Sequence, residues 1–394
     1  MKRSTPLAIF VLIDALGWRY VAERGFLDSS LGYRTRLRTV LGFSSAAIPT
    51  ILTGLAPARH GHWNLLYRDA ASSPFRWLRP LRYLPDGVVN NRYARRGVTE
   101  IGRRALGLGR GFECPVSPRV LGWFNWTEKH DIYAAGGIAG AKSFFDRLAE
   151  SSVPHRVYTY RRASDAEILR QAASDVSARR ASVFFLYLSE LDLLLHNHAC
   201  DSGVWGAALG RYEAGLDSLF QLALERDSDA ALAVFSDHGM TPVRAHVPLA
   251  SEIRKLGLRA PGDYLAVYDS TMARFWFSSG GARRAIAERL ATMRGGRVIE
   301  KDELERLGVY FPDGRHGELI FLLDPGHLLV DGDFHASGWK PAGMHGYHPD
   351  DPDSYGVFLS NCAPSAPIRE LADVHGFLCD ASFGVAAPTL REAS

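Results

Sequence analysis

The sequence is poor in cysteine, in net charge and in long apolar runs, and each shortage excludes a class of protein. Its four cysteines include no Cys-x-x-Cys pair, so neither a disulfide framework nor a thiolate zinc site is indicated, and a reducing compartment is the default. The 46 basic side chains nearly balance the 43 acidic ones, and the remaining charge of +3 is that of an ordinary globular protein. Overall charge therefore points to no partner.

No apolar stretch approaches the roughly 20 residues that a membrane-spanning helix needs. The run from Pro6 to Ile13 follows Met1-Lys2-Arg3 and superficially resembles the start of a secretory signal, but it ends in Asp14 rather than at a small-residue cleavage site. We therefore expect a cytoplasmic protein, with a cleaved signal as the alternative. A chain of 394 residues can bury a substantial core, as one large domain with insertions or as two ordinary domains.

Three short apolar runs, at residues 7–13, 182–188 and 230–235, indicate buried strands of a parallel sheet, because they lack the alternation of a half-exposed strand. Helical patterns lie between them. Ser164 to Glu167 matches a capping box that opens a helix to about Ala178, and residues 204–226 have apolar side chains at three-and-four spacing. The alternation predicts an α/β fold with a mostly parallel central sheet and helices on both faces.

Acidic residues follow the three runs, at Asp14, Asp192 and Asp237. Because the carboxyl ends of parallel strands meet at one edge of a sheet, we expect these carboxylates to be neighbours. They would repel one another and raise their own pKa values unless a cation lies among them. A metal site at this edge is the resulting hypothesis.

Histidines accompany two of the carboxylates. Asp192 and His196 are four residues apart, on one face of a helical turn, where both can bind one metal ion. Asp237 and His238 are adjacent at a strand end, and the glycine after them permits a sharp turn toward a ligand. His345 lies in a polar loop that contains glycines. The alternatives are a surface salt link, a helix cap and, for His345, a merely solvated side chain.

A possible nucleophile lies in residues 42–61, where small hydroxyl residues precede an apolar helical stretch. Ser44 or Ser45 would then stand at a helix N-terminus, where free backbone N–H groups can hold an anion. The alternative is that either serine merely caps the helix.

Two regions interrupt the pattern. Residues 62–112 contain ten arginines, no lysine and three acids, interleaved with aromatic residues. We expect this insertion to overhang the pocket, where its net charge of +7 attracts an anionic leaving group or an anionic membrane surface, with a solvated arginine face as the alternative. Residues 246–330 have strand-like pieces and a helix of their own, which suggests a small α+β cap.

Two motifs carry a family resemblance: Thr-Gly-Leu-x-Pro-x-x-His-Gly at 53–61 and Phe-Ser-Asp-His-Gly-Met at 235–240. With them the chain resembles the alkaline phosphatase superfamily, specifically the type I phosphodiesterase/nucleotide pyrophosphatase family, over residues 9–61, 187–240 and 343–359. The resemblance implies that residues 1–61, 113–245 and 331–394 form an alkaline-phosphatase-like catalytic core.

The resemblance also implies two zinc ions, with Mn²⁺ as an alternative metal. One ion would be held by Asp14, Asp237 and His238 and would contact the nucleophile, for which the family's spacing selects Ser44. The other would be held by Asp192, His196 and His345, since the same spacing favours His196 over His198. Asn64 matches, one residue out of register, an asparagine that helps to hold a phosphate oxygen.

The implied function is a metal-dependent phosphodiesterase that hydrolyses a small-molecule or lipid-linked phosphoester through a phosphoseryl intermediate. The chain departs from the family at Ser45-Ala46-Ala47, where Pro-Asn is usual, and at Leu195, where glycine is usual. The signature Cys-x-Pro-Ser-Arg is missing, which makes a sulfatase unexpected. A phosphomonoesterase, phosphomutase, phospho-group transferase or non-catalytic binding protein stays open. No nucleic-acid partner is expected.

Overall fold

The computed structural model describes residues 6–108, 112–160, 163–334 and 339–384. In these residues the strands are β1 (Ala8–Ile13), β2 (Tyr33–Leu37), β3 (Leu66–Arg68), β4 (Phe124–Trp126), β5 (His155–Tyr158), β6 (Val183–Leu188), β7 (Ala231–Phe235), β8 (Thr241–Pro242), β9 (Ala245–Val247), β10 (Tyr264–Asp269), β11 (Met272–Phe277), β12 (Gly296–Val298), β13 (Leu319–Leu323), β14 (His327–Leu329), β15 (Gly343–Met344) and β16 (Gly356–Ser360).

The α-helices are α1 (Trp18–Arg24), α2 (Ser44–Thr53), α3 (Pro57–His60), α4 (Asp86–Val89), α5 (Arg92–Arg104), α6 (Pro118–Leu121), α7 (Phe144–Glu150), α8 (Asp165–Ser177), α9 (Glu190–His198), α10 (Ser202–Arg226), α11 (Leu249–Arg254), α12 (Gly280–Ala291), α13 (Lys301–Arg306) and α14 (Leu371–Phe383). Two 3-10 helices span Arg76–Tyr83 and Pro352–Ser354. No helix in the described part of the chain is both long and apolar enough to cross a bilayer.

The central sheet has six strands in the order β2-β16-β7-β1-β6-β5. Strand β1 pairs in parallel with β6 on one side and β7 on the other, and β5 pairs in parallel with β6. Strand β16 runs antiparallel to both of its neighbours. The predicted α/β fold with a mostly parallel sheet is therefore confirmed, and the three predicted strands begin one residue later than expected.

Both faces of this sheet are covered, which is why its strands are continuously apolar. Along β1, Ile9, Val11 and Ile13 pack against a layer that includes α8 and α10. The alternate residues Ala8, Phe10 and Leu12 pack against the opposite layer, which includes α2, α7 and α14. Side chains on a strand alternate between faces, so every position here meets apolar neighbours.

A second, antiparallel sheet of order β10-β11-β13-β12 contains the strands expected of the cap. Its residues Leu265, Val267 and Trp276 share a hydrophobic cluster with Leu78 and Val98 of the arginine-rich region. The predicted boundaries of the insertion, the cap and the core stay predictions.

Candidate active site

The candidate site lies where β1, β6 and β7 end. Asp14 directly follows β1, and its backbone N–H donates to the carbonyl oxygen of Leu188 at the end of β6, at 2.9 Å. Asp237 and His238 follow β7, whereas Asp192 and His196 lie on α9, the helix that comes next after β6. The parallel sheet thus brings residues that are far apart in sequence to one edge.

The first cluster consists of Asp14, Asp237 and His238, all of them buried. Nε2 of His238 lies 3.4 Å from Oδ1 of Asp14 and 3.3 Å from Oδ2 of Asp237. Both carboxylate oxygens lack a hydrogen-bond partner among the described residues. Three donor atoms that converge in this way can hold a metal ion.

The second cluster consists of Asp192, His196 and His345. Nε2 of His196 lies 3.4 Å from Oδ2 of Asp192, and Nε2 of His345 lies 3.6 Å from Oδ1 of the same carboxylate. The i,i+4 spacing within α9 produces the first of these contacts. The structure leaves His198, two residues further on, exposed and outside the cluster.

The donor chemistry of both clusters fits a divalent cation such as zinc. Nδ1 of His238 lies 2.9 Å from the carbonyl oxygen of Gly239, and Nδ1 of His196 lies 2.9 Å from that of Gly343. Because a carbonyl oxygen only accepts, each Nδ1 carries a hydrogen, and Nε2 faces a carboxylate; in a neutral ring this Nε2 is an acceptor as well. Two acceptors that face each other need a cation or an additional proton between them.

The carboxylates differ in their electrostatics. Burial raises the pKa of Asp14 well above its usual range, and the charges of Asp237 and Asp192 add to the rise, while a hydrogen bond from the Tyr187 hydroxyl opposes it. For Asp192 burial also acts upward, but the hydrogen bond with His196 and the nearby histidine charges outweigh it and lower the pKa. The expectation that every carboxylate here has a raised pKa is therefore wrong for Asp192.

Ser44 is the first residue of α2, and its Oγ lies 3.1 Å from Nε2 of His238. Phe43 occupies the N-cap position, so neither serine caps the helix. Ser45 is buried, and its hydroxyl donates to the carbonyl oxygen of Trp63 at 3.0 Å. The structure thus directs Ser44 toward the first cluster and Ser45 away from it.

Asn64 is buried on the cap side of the site. Its Nδ2 lies 3.5 Å from Oδ2 of Asp269, and Oδ1 has no hydrogen-bond partner among the described residues. Asp269 is in turn paired with the buried Arg274, at 2.7 Å from Nε to Oδ2. No hydrogen bond between Asn64 and Ser44 is present in the described residues.

A pocket of about 230 Å³ opens beside His196. Its walls include Phe43, Leu65, Phe334 and Trp339, so it is largely apolar. None of the described arginines of residues 62–112 lines it. The arginine-rich region therefore contributes Leu65 to this pocket, and its described residues contribute no cation.

Two side chains that position the site are not predicted by any sequence pattern. Buried Asp165 accepts the backbone N–H groups of Ser189 and Glu190, at 3.0 and 2.9 Å, and so fixes the start of α9. The hydroxyl of Tyr187, on the neighbouring strand β6, donates to Asp14. The capping-box pattern at Ser164 predicts the start of a helix, but no pattern links Asp165 or Tyr187 to the site.

Comparison with known proteins agrees with this geometry. A sequence model of the type I phosphodiesterase/nucleotide pyrophosphatase family matches residues 8–348. The chain belongs to this family. It is accordingly a hydrolase that acts on phosphoric ester bonds, in a family whose members depend on metal ions, and the predicted family and enzyme class are confirmed. No curated protein was matched in sequence.

Solved structures show the same fold. Murine ectonucleotide pyrophosphatase/phosphodiesterase 5 is 16% identical, with a TM-score of 0.67 over 98% of this chain and 96% of that one. The human counterpart is 14% identical, with a TM-score of 0.66 over 95% and 94%. An inactive variant of the murine protein in complex with AMP is 17% identical, with a TM-score of 0.67 over 98% and 96%.

Proposed function

We propose that the chain is a phosphodiesterase that uses two divalent ions, expected to be zinc, and a covalent phosphoseryl intermediate on Ser44. The observation that carries the proposal is the position of the Ser44 hydroxyl, 3.1 Å from His238 and next to two three-residue donor clusters. Asp14, Asp237 and His238 would hold one ion, and Asp192, His196 and His345 the other. When bound, such ions would polarise the phosphoryl group and lower the pKa of a contacting hydroxyl.

The chain's own residues define the reaction. Ser44 Oγ attacks phosphorus, its bond to phosphorus forms as the bond to the leaving alcohol breaks, and the alcohol departs with a proton. Water then cleaves the serine ester and releases a phosphomonoester. Free backbone N–H groups at the start of α2 would offset the charge of the phosphoryl oxygens.

The substrate class proposed is a diester with a nucleotide-like or lipid-like apolar group. Support comes from the apolar walls of the pocket beside His196, and from the AMP complex of a structural neighbour. Asn64 would hold a phosphoryl oxygen through Nδ2, which requires it to exchange its 3.5 Å contact with Asp269 for the substrate. Asn64→Ala should therefore lower kcat while bound metal is unchanged.

The test compares wild type with Ser44→Ala on bis(p-nitrophenyl) phosphate after loading with zinc. Wild type should turn over, and acid quenching during turnover should trap a phosphoryl adduct on the peptide that contains Ser44. Ser44→Ala should lose at least about 10³-fold in kcat with unchanged metal content. A fully active Ser44→Ala protein would overturn the covalent step.

Ser45→Ala is the matched control, because it removes the adjacent hydroxyl. It should keep its turnover and lose only about 1 kcal/mol of unfolding free energy, since its hydroxyl bonds to Trp63. Faster cleavage of p-nitrophenyl phosphate than of the diester would reassign the enzyme to the monoesterases.

A further inference from the structure

Exposed apolar side chains are concentrated in one part of the arginine-rich region. Eleven large hydrophobic residues are exposed in the described part of the chain, and six of them lie between residues 77 and 101. Tyr83 and Tyr93 are the most exposed of all, at 76% and 70%. Soluble proteins rarely leave such a group unused, so this concentration marks an interaction surface.

The exposed side chains stand on an ordered layer. Arg82 and Asp86 both contact the start of α6: Arg119 donates to the carbonyl oxygen of Arg82 at 2.9 Å, and Ser117 donates to Asp86 at 2.7 Å. Arg95 of α5 donates to the nearby carbonyl oxygen of Pro115 at 2.7 Å. These hydrogen bonds hold the segment in place from its inner side, while every residue from 82 to 88 stays exposed.

Positive charge surrounds these apolar groups. Four exposed arginines have no carboxylate partner among the described residues: Arg76, Arg82, Arg92 and Arg96. Between residues 76 and 104 the chain has eight arginines and two acids, Asp86 and Glu100, and Glu100 already pairs with Arg104 at 3.0 Å. The surface therefore has a net positive charge.

Arginine and tyrosine are coupled on this surface. The guanidinium of Arg82 lies 4.6 Å from the ring centroid of Tyr83, and that of Arg92 lies 4.7 Å from the ring centroid of Tyr93. One face of each ring is thus covered by a cation. Amphipathic rings beside cations are typical of side chains at the headgroup level of a membrane.

We propose that this surface, formed by Arg82, Tyr83, Leu84, Val88, Arg92, Tyr93 and Arg96 and called here the tyrosine–arginine surface, docks onto an anionic lipid bilayer. The arginines pair with acidic headgroups, while Tyr83, Leu84 and Val88 enter the interfacial layer. Docking is peripheral. The pocket beside His196 is lined by none of the described arginines of residues 62–112, so lipid binding is separable from turnover of a soluble diester.

The test is sedimentation of the whole protein with vesicles of phosphatidylcholine alone or with about 30% phosphatidylserine, in about 0.1 M salt. Wild type should sediment with the anionic vesicles only, and salt near 1 M should release it, because the Debye length then falls to about 3 Å. Arg92→Glu with Arg96→Glu should weaken binding at least about tenfold.

Arg283→Glu with Arg284→Glu is the matched control, because it reverses the same charge on the exposed side of α12. This control should bind as wild type does. Tyr83→Ser with Tyr93→Ser should also weaken binding to the vesicles. This variant tests the apolar contribution to binding, and it replaces the charge reversal if that variant lowers the thermal midpoint of unfolding. The proposal is overturned if the wild type binds no vesicles or binds neutral vesicles equally well. It is also overturned if the control variant loses as much vesicle binding as the Arg92→Glu, Arg96→Glu variant, or if a soluble DNA duplex displaces the vesicles.

Discussion

The imidazole rings of His238 and His345 are stacked, with 3.8 Å between their centroids and 11° between their planes. Each ring belongs to a different donor cluster, so the stack joins the two clusters into one unit. Burial lowers the pKa of His345 well below its usual value, and the charge of His238 adds to the effect. A neutral His345 is the form that can bind a metal ion.

We expect elemental analysis of zinc-loaded protein to find about two ions per chain. His345→Ala should lower this to about one, because loss of one of three protein ligands is costly for the ion it binds. Asp14→Asn should remove the other ion preferentially. Full occupancy in both variants would contradict the division of the six residues into two clusters.

His196 and His198 provide a comparison within one helix. His196→Ala should lower zinc affinity by about 10-fold or more, whereas His198→Ala should leave both metal content and turnover unchanged, because its side chain is exposed. Isothermal titration of the metal-free variants measures the difference. Equal losses for the two variants would show that the i,i+4 geometry of α9 does not select the ligand.

The buried pair of Arg274 and Asp269 should be important for stability. Arg274→Met leaves the buried Asp269 carboxylate without its charged partner and the carbonyl oxygen of Leu66 without the Arg274 donor, and should cost about 3–5 kcal/mol of unfolding free energy in urea titrations. The more exposed pair of Arg297 and Glu303 is the control: Arg297→Met should cost less than about 1 kcal/mol. Equal costs would mean that burial does not govern these pairs.

Asp333 should make stability depend on pH. Burial raises its pKa to about 7, against the opposing hydrogen bond from the backbone N–H of Tyr268. Because the folded state holds this proton more tightly than the unfolded chain, stability should fall as pH rises from about 4 to about 7. In Asp333→Asn the stability should fall less between pH of about 4 and about 7, as measured by urea midpoints at both pH values. An unchanged pH dependence would show that Asp333 is not its source.

Much of the sheet and of the donor set could be predicted from sequence because the relevant rules are local. A continuous apolar run followed by an acid identified β1 and β7 together with Asp14 and Asp237, and the parallel registers bring their ends together. The spacing of Asp192 and His196 is likewise a property of one helix turn. The family motifs singled out Ser44, which no local rule distinguished from Ser45.

Other features depend on residues that meet only in the folded chain. The sequence contains no pattern that sends the Ser45 hydroxyl to Trp63 or the Tyr187 hydroxyl to Asp14. The prediction for the pKa of Asp192 is wrong because repulsion between carboxylates can be expected from strand ends, whereas two of its three histidine neighbours, His238 and His345, come from separate segments. The position of the arginines outside the pocket also follows from packing against the cap sheet.

The central position of β1 has a consequence for how the protein is made. Both of its partners follow it in the chain, so β1 has no partner until β6 has been synthesised, at residue 188, and has an open edge until β7 has followed, at residue 235. Even then β7 has an open edge until β16 has been synthesised, more than 100 residues later, at residues 356–360. Unpaired apolar strands are prone to aggregation, so these strands should need protection by a chaperone until their partners have been synthesised.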